Sequence, residues 1–482
     1  MSTMEEEKVI SKSTSVDISE GTFDDITIEK KEEAKLVRKL DWYLMPMFSV
    51  LYFLSFLDRA NIGNAAVVGL KEDLKLQAYQ YSAAVSVFYA TYITAETPSV
   101  LLVKKFGPHY YLSAMIIGWS LVTIFTCFVR HYWSLVLTRL LLGICEGGFF
   151  PCLSLYISMT YKREEQGKRL AYLYVCSCFS GAFGGLIATG LTKIPKSSGL
   201  PNWGWLYIIE GLISAISALW ILFCLPDDPS TARFLNPREK ELMKIRAEQR
   251  QKYMGSPNFD WTQFRKAFKD PKMYMSCVIQ FCQDLVLYGI STFLPSILKL
   301  ELGYSSLAAQ YMSVPVYALG GISVYVICLL SDRTNIRGWF IIGMNFFGLA
   351  GFIILLATTN SAANYVATYL IALPLYPTVA LNITWINNNM APHYRRATAL
   401  GCNQTIGNLA GVIAGQVYRS SPYKLGHGFA LGCTVVGTLT ATAMRFYLQR
   451  QNKIKQEILN GERVDEKKER DGCDALDFVY VL

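Results

Sequence analysis

The chain has 482 residues, of which 52% are hydrophobic and only 17% charged, with a mean hydropathy of +0.26. A soluble domain carries about 25% charged residues, so composition excludes that class and points to an all-α membrane protein. The net charge of +9 does not imply a nucleic-acid partner, because much of it flanks apolar blocks, where Lys and Arg set topology.

Residues 1–40 are acidic and rich in Ser and Thr, and lack the basic start and short apolar core of a signal peptide. They are expected to form a disordered cytosolic tail that turns basic at Lys30, Lys31, Lys35, Arg38 and Lys39. The apolar blocks that follow are about 20 residues long, enough to cross a hydrocarbon core of about 30 Å as helices. About twelve spans are predicted, centred near Val50, Tyr92, Gly118, Leu142, Phe179 and Ala215, then Val286, Ala318, Phe347, Leu375, Gly407 and Thr438. The predicted organisation is thus one six-helix bundle over 41–225, a polar central stretch over 226–273, a second bundle over 274–449 and a charged cytosolic tail over 450–482. Within the central stretch, NPREKELMKIRAEQRQKY reads as a surface helix with Asn236 as N-cap, Pro237 in the first turn and Glu239 closing a capping box.

Orientation follows from the basic residues. With both tails inside, the inner loops hold Lys104, Lys105, Lys162, Arg163, Lys168, Arg169, Arg333, Arg337, Arg395 and Arg396. The outer loops hold Lys71, Lys75, Arg130, Lys193, Lys196, Lys299, Arg419 and Lys424. The short loops alone differ modestly; the tails and central stretch tip the balance to cytosolic termini.

The first span, MPMFSVLYFLSFLDRANIGN, ends on Asp58 and Arg59, with Asn61 and Asn64 following. A charge at the centre of a bare spanning helix costs roughly 2.5–3.5 kcal/mol on insertion scales. The pair therefore marks either a functional element or the end of the span, with Asp58 as the local counter-charge of Arg59. The fourth span, TRLLLGICEGGFFPCLSLYIS, sets Arg139, Gly143 and Glu146 on one face at i, i+4 and i+7. Two turns separate these charges, too far for a direct pair, so a neighbouring helix or a ligand must answer each. Gly147, Gly148 and Pro151 permit a bend or close packing. Arg59 and Arg139 from two spans make a candidate anion site, because a guanidinium fork binds both oxygens of a carboxylate.

The other intramembrane acids are Glu96 in span two, Glu210 at the start of span six and Asp284 in span seven. Glu146 and Asp284 lead the candidate proton carriers, followed by Asp58 and Glu96; Glu210 reads as structural. Spans ten and eleven contain Asn382, Trp385, Asn403, Gln404, Asn408 and Gln416, more polar groups than a lipid-facing helix holds. Asn61, Asn382, Trp385, Gln404 and Asn408 are candidate substrate contacts, with helix-to-helix hydrogen bonding as the alternative. The twelve cysteines lack zinc-ligand spacing, the four histidines lie in loops or at span ends, and the sequons at Asn382 and Asn403 fall within spans. No metal site, cofactor loop or nucleophile–base arrangement is visible, which argues against an enzyme.

LDRANIGNA, RLLLGICEGGFFP, GWLYIIEG, LPDDPSTARFL and RRATALGCNQTIGNLAG resemble the anion:cation symporter branch of the major facilitator superfamily. LPDDPSTARFL resembles the fungal allantoate permease group, and within it the chain is most similar to nicotinate permeases. The resemblance implies a fold of two six-helix bundles with substrate held between them, and a monomeric plasma-membrane importer of a small organic anion driven by the proton gradient, without a cofactor. It maps anion binding and proton coupling onto Arg59, Arg139 and Glu146. The superfamily loop signature is altered: after span two it reads VLLVKKFGPH, with Lys104 in place of its Asp, and after span eight Asp332 and Arg333 lack the preceding Gly. Nicotinate, pantothenate, biotin, allantoate and small peptides all suit such a site. A non-transporting nutrient receptor on the same fold is the rival reading.

Overall fold

The computed structural model describes residues 30–191, 199–254, 261–465 and 472–482. The predicted tail up to residue 29 and the outer-loop residues Lys193 and Lys196 lie outside them. The first half contains α1 (Lys30–Val68), the short α2 (Leu70–Asp73), α3 (Ala78–Phe106), α4 (Pro108–Thr126), α5 (Tyr132–Glu146), α6 (Phe149–Thr160), α7 (Arg163–Leu191) and α8 (Asn202–Cys224). Two connecting helices follow, α9 (Pro237–Met254) and α10 (Trp261–Phe268). The second half contains α11 (Pro271–Leu300), α12 (Ser306–Thr334), α13 (Arg337–Ala357), α14 (Ser361–Leu375), α15 (Pro377–Asn389), α16 (His393–Val417) and α17 (Lys424–Leu459).

Among the described residues, ten segments are long and apolar enough to cross a membrane, counting α5 with α6 and α14 with α15 as single crossings. The two helices that fall short in apolar character are α3 and α16. At 29 and 25 residues they are long enough to span, and they pack against each other. Polar residues of these helices are buried between helices, Ser86 against α16 and Asn403 against α11, which is why composition alone undercounts them. Span four breaks at Gly147–Gly148, between α5 and α6. Glycine is required on this face: a Cβ at Gly143 would overlap the Phe88 carbonyl of α3, and one at Gly147 the Tyr92 carbonyl.

With twelve crossings, the start of α1 and the end of α17 share one face, here called the tail face. The predicted tail is shorter than 1–40, because α1 already begins at Lys30. Leu36, Leu40 and Leu44 recur at i, i+4 and are all buried, and Glu32 and Glu33 suit a helix N-terminus. Ion pairs brace this face of the first half. Arg169 grips Asp41 with two parallel bonds of 2.8 and 2.6 Å, while Arg246 of α9 reaches Glu33 and Glu165, both at 2.5 Å. Glu239 accepts from the Asn236 N–H at 2.8 Å, as the capping box predicts, and also pairs with Lys39 at 2.7 Å. The LPDD segment docks here too. Asp227 accepts from the His109 N–H at 3.2 Å beside Gly107, which turns α3 into α4 at φ +85°.

The charged tail expected over 450–482 starts within a helix and ends against the second half. α17 continues to Leu459, and residues 472–482 fold back onto the second half. The Trp385 indole donates to the Val481 carbonyl at 2.9 Å, and Asn389 exchanges bonds of 2.9 and 2.8 Å with the same residue. The Tyr480 ring lies between Lys272 and Lys455, whose ammonium groups sit 4.3 and 4.1 Å from its centroid. Arg395 joins Asp474 to Asp270 at 2.8 and 2.7 Å. Truncating the buried Tyr480 to Ala is expected to cost about 3 kcal/mol, the lower end for loss of a buried aromatic ring. The measurement is thermal unfolding of the purified full chain in detergent; an unchanged midpoint would mean that the segment does not brace the bundle.

Candidate functional site

Arg59 of α1 and Glu146 of α5 form an ion pair inside the first half. Arg59 Nε donates to Glu146 Oε1 at 2.6 Å, with the side chains 8% and 1% exposed. Ser55, one turn earlier on α1, donates to the same oxygen at 2.5 Å. The guanidinium also donates through Nη2 to the Tyr92 hydroxyl at 3.0 Å. The rings of Tyr92 and Phe56 lie against it, with centroids 4.5 and 4.8 Å from its central carbon, a cation–π contact that strengthens where water is excluded. The glycine contacts of α5 with α3 bring Glu146 within reach. Its second oxygen, Oε2, is buried without a hydrogen-bond partner among the described residues.

Arg59 opens onto a cavity between the two halves. The first half lines it with Tyr52, Phe56, Tyr92, Glu96, Phe150 and Tyr174 beside Arg59. The second half supplies Gln280, Asp284, Leu287, Tyr288, Val379, Gln404 and Asn408. Gln280 donates to Asp284 at 2.9 Å, and Tyr288 donates to Asn408 at 2.7 Å. Asn408 in turn donates to Glu96 across the halves at 3.4 Å. The carbonyl oxygen of Gln404 is buried and has no hydrogen-bond partner among the described residues. A second cavity lies within the second half, lined by residues such as Cys282, Phe352 and Pro374 and by no charged group; it offers an anion no counter-charge.

Away from the termini the halves are packed together. Ser86 donates to the Val412 carbonyl at 2.7 Å, Gln416 to Ser86 at 2.9 Å and Lys299 to the Val67 carbonyl at 3.1 Å. Tyr81 meets Phe293 edge-on at 6.0 Å. These contacts climb from the cavity to the face opposite the tails and close the cavity on that side.

Several residues expected at the site lie elsewhere. Asp58 is not the counter-charge of Arg59. Neighbouring residues on a helix point about 100° apart, so Asp58 faces α8, where Ser214 donates to it at 3.3 Å and Asn61 at 3.4 Å. Asn61 also donates to Glu210, so it joins two buried acids within the first half instead of lining the cavity. Arg139 donates to the Tyr207 hydroxyl at 2.9 Å and does not line the cavity, so the structure does not pair the two arginines around one space. Asn382 accepts from Ser276 at 3.2 Å and donates to Gln280 at 2.8 Å, behind the cavity wall. Trp385 is taken by the C-terminal segment. Glu96, Glu146, Asp284, Gln404 and Asn408 do gather around or beside Arg59. Of the residues missed in sequence, Ser55, Tyr92, Gln280 and Tyr288 each sit four positions from a predicted one, namely Arg59, Glu96 and Asp284, where the i±4 rule would have found them; Tyr174 on α7 has no such neighbour.

A profile of the Major Facilitator Superfamily matches residues 48–415. The chain belongs to that superfamily. An uncharacterised transporter of Schizosaccharomyces pombe is 44% identical over 471 residues, 97% of this chain and 94% of its own. A high-affinity nicotinic acid transporter of Saccharomyces cerevisiae is 34% identical over 431 residues, 89% of this chain and 80% of its own. Among solved structures, a bacterial homologue of the human lysosomal transporter Spinster, inward-facing and unoccupied, matches with a TM-score of 0.63 at 15% identity, over 91% of this chain and 100% of that one. That likeness concerns the fold. As a member of the superfamily this chain is a multi-pass membrane transporter and not an enzyme.

The buried pair makes a stability prediction. Glu146→Ala leaves Arg59 charged and unpaired, which costs roughly 3–5 kcal/mol. Arg59→Met combined with Glu146→Leu is expected to recover most of that loss. Thermal unfolding of the purified variants checks both; a single variant as stable as the double would place the charges in water rather than against each other.

Proposed function

We propose that this transporter imports a small organic monocarboxylate, nicotinate or a close chemical relative, together with a proton. The observation that carries the reading is the Arg59–Glu146 pair at 2.6 Å on the wall of a central cavity. A carboxylate arriving at Arg59 meets the Glu146 carboxylate already there. Two like charges about 4 Å apart repel by about 4 kcal/mol at an effective dielectric near 20, close to a thousandfold in affinity. A proton on Glu146 removes that repulsion and loosens its hold on the guanidinium. Anion and proton then enter together as a neutral pair. A lone monovalent anion entering an inside-negative cell would work against about 2.3 kcal/mol per 100 mV, and one proton cancels that cost.

The resemblance to a yeast nicotinic acid transporter and the aromatic walls of the cavity support an aromatic acid over a larger anion. The basic residues on the tail face, including Lys39, Lys162, Arg169, Arg333 and Arg395, support cytosolic termini. On that orientation the cavity is closed outwards, so this is the state that delivers substrate to the cytosol. The protein acts as a monomer in the plasma membrane, and Asp58, in its separate polar cluster, is a further site where a proton can be held.

Removing the carboxylate's partner by Arg59→Ala is expected to cut nicotinate uptake by 10- to 100-fold or more at equal surface level, the worth of a hydrogen bond to a charged group. Labelled nicotinate uptake in cells lacking their own carrier measures it, and uptake at the unsubstituted rate would remove Arg59 from the site. Glu146→Gln fixes the neutral state. Residual uptake by this variant should no longer rise as external pH falls; a retained pH response would move the coupling proton to another acid.

A further inference from the structure

The cavity has an imbalance that a simple carboxylate does not explain. Arg59 is its one lining cation among the described residues, and Glu146 already neutralises it. Two further carboxyl groups, Glu96 and Asp284, line the same space, and neither has a cation within 4.0 Å among the described residues. An anion that only needed a positive charge would bind better with neither present. Glu96 has a partial account, because Asn408 hydrogen-bonds it across the halves. Asp284 stays within its own half, held on one oxygen, Oδ2, by Gln280 at 2.9 Å. Its position is built: a Cβ at Gly407 of α16 would overlap Asp284 Oδ2, so the glycine makes room for the carboxyl. The other oxygen, Oδ1, has no hydrogen bond from a described residue, and the residue lines the cavity.

Resting on the reading of the cavity as a carboxylate site, we propose that Asp284 recognises a ring or amino nitrogen on the side of the substrate away from its carboxylate. The substrate class is then a nitrogen-bearing aromatic monocarboxylate. Its carboxylate lies on Arg59 of the first half and its nitrogen on Asp284 of the second. Between them Tyr52, Phe56, Tyr92 and Tyr288 offer ring faces to a flat molecule. The contact works in either protonation state, since one proton shared between carboxyl oxygen and nitrogen makes an O–H···N or an N–H···O bond. The same geometry rejects dicarboxylates and aromatic acids lacking the nitrogen, which leave Asp284 facing an apolar edge or a second negative charge. A substrate held this way bridges the two halves.

The test uses acids matched in ring and carboxylate: nicotinate and isonicotinate against benzoate, and 4-aminobenzoate against 4-methylbenzoate. Their binding to the purified full chain is read as ligand-dependent thermal stabilisation, and their competition with labelled nicotinate is read in cells. The nitrogen-bearing member of at least one pair is expected to bind tenfold or more tightly, and Asp284→Asn to reduce that ratio below threefold, chiefly by weakening the nitrogen-bearing acid. Gly407→Ala, which displaces the carboxyl without removing it, is expected to lower the same ratio. Equal binding within every pair, or a ratio that survives in Asp284→Asn, overturns the proposal while leaving the carboxylate site standing. Failure of every acid to stabilise the protein or to compete overturns the carboxylate reading itself.

Discussion

Burying Arg59 and Glu146 together inside the first half is the constraint around which the rest of the transporter is arranged. Two charges taken out of water each lose several kcal/mol of hydration, regained only if geometry and accessory hydrogen bonds are good. The glycine face of α5 sets Glu146 close enough, Ser55 and Tyr92 supply polar contacts, and Phe56 and Tyr92 lie against the guanidinium. A guanidinium has five donors, and these contacts do not use them all. Glu146 Oε2 is likewise unanswered among the described residues. An incomplete buried pair beside a cavity leaves capacity that a ligand and a proton can fill, and this links the fold to transport.

A second regularity concerns where strong and weak bonds lie. Within each half, the tail face is tied by ion pairs: Arg169 to Asp41 and Arg246 to Glu33 and Glu165 in the first, Arg395 to Asp270 and Asp474 in the second. Between the halves, Asn408, Ser86 and Gln416 contribute hydrogen bonds from neutral donors, with Lys299 the charged exception. Interhelical hydrogen bonds in membranes average about 0.6 kcal/mol. A few of these can be exchanged at low cost, whereas the ion pairs hold each bundle together as a unit. Such a division favours rocking of two rigid bodies over bending of single helices.

Much of this was readable in the residues, and the failures have physical causes. The twelve crossings, the six-plus-six division and the bend at Gly147–Gly148 followed from apolar run length and small-residue spacing. Glu146, Asp284, Glu96, Gln404 and Asn408 stood out because polar groups are costly in lipid. That cost does not say which way a buried polar residue points. Asp58 and Arg59 are adjacent in sequence yet serve different clusters, since a helix turns about 100° per residue. Arg139 and Glu146 share a helix face, but Tyr207 answers one and Arg59 the other. Trp385 and Asn382 lie on the same helix, and the difference between docking the C-terminus and backing the cavity wall is a matter of tertiary contacts with residues about 100 positions away.

The pseudo-symmetry of the two bundles extends beyond the spans. Each half is followed by a segment that returns to the tail face of the bundle it has just left. After α8, Asp227 docks on the α3–α4 turn, Asp228 caps the short helix Pro229–Thr231, and α9 sends Arg246 to the starts of α1 and α7. After α17, residues 472–482 reach the starts of α11, α13 and α16 and the end of α15. This gives a physical account of the altered loop signature after span two. Where the superfamily pattern puts an acid in that loop this chain has Lys104, and the carboxylate beside Gly107 comes instead from Asp227, more than a hundred residues later. The turn keeps an acidic partner, but one delivered by the segment leaving the bundle. Closing each half by its own trailing segment fixes helix ends within a bundle, while α10, further along the central stretch, packs on α16 of the second; helix ends held in this way suit two bodies that move about a shared cavity.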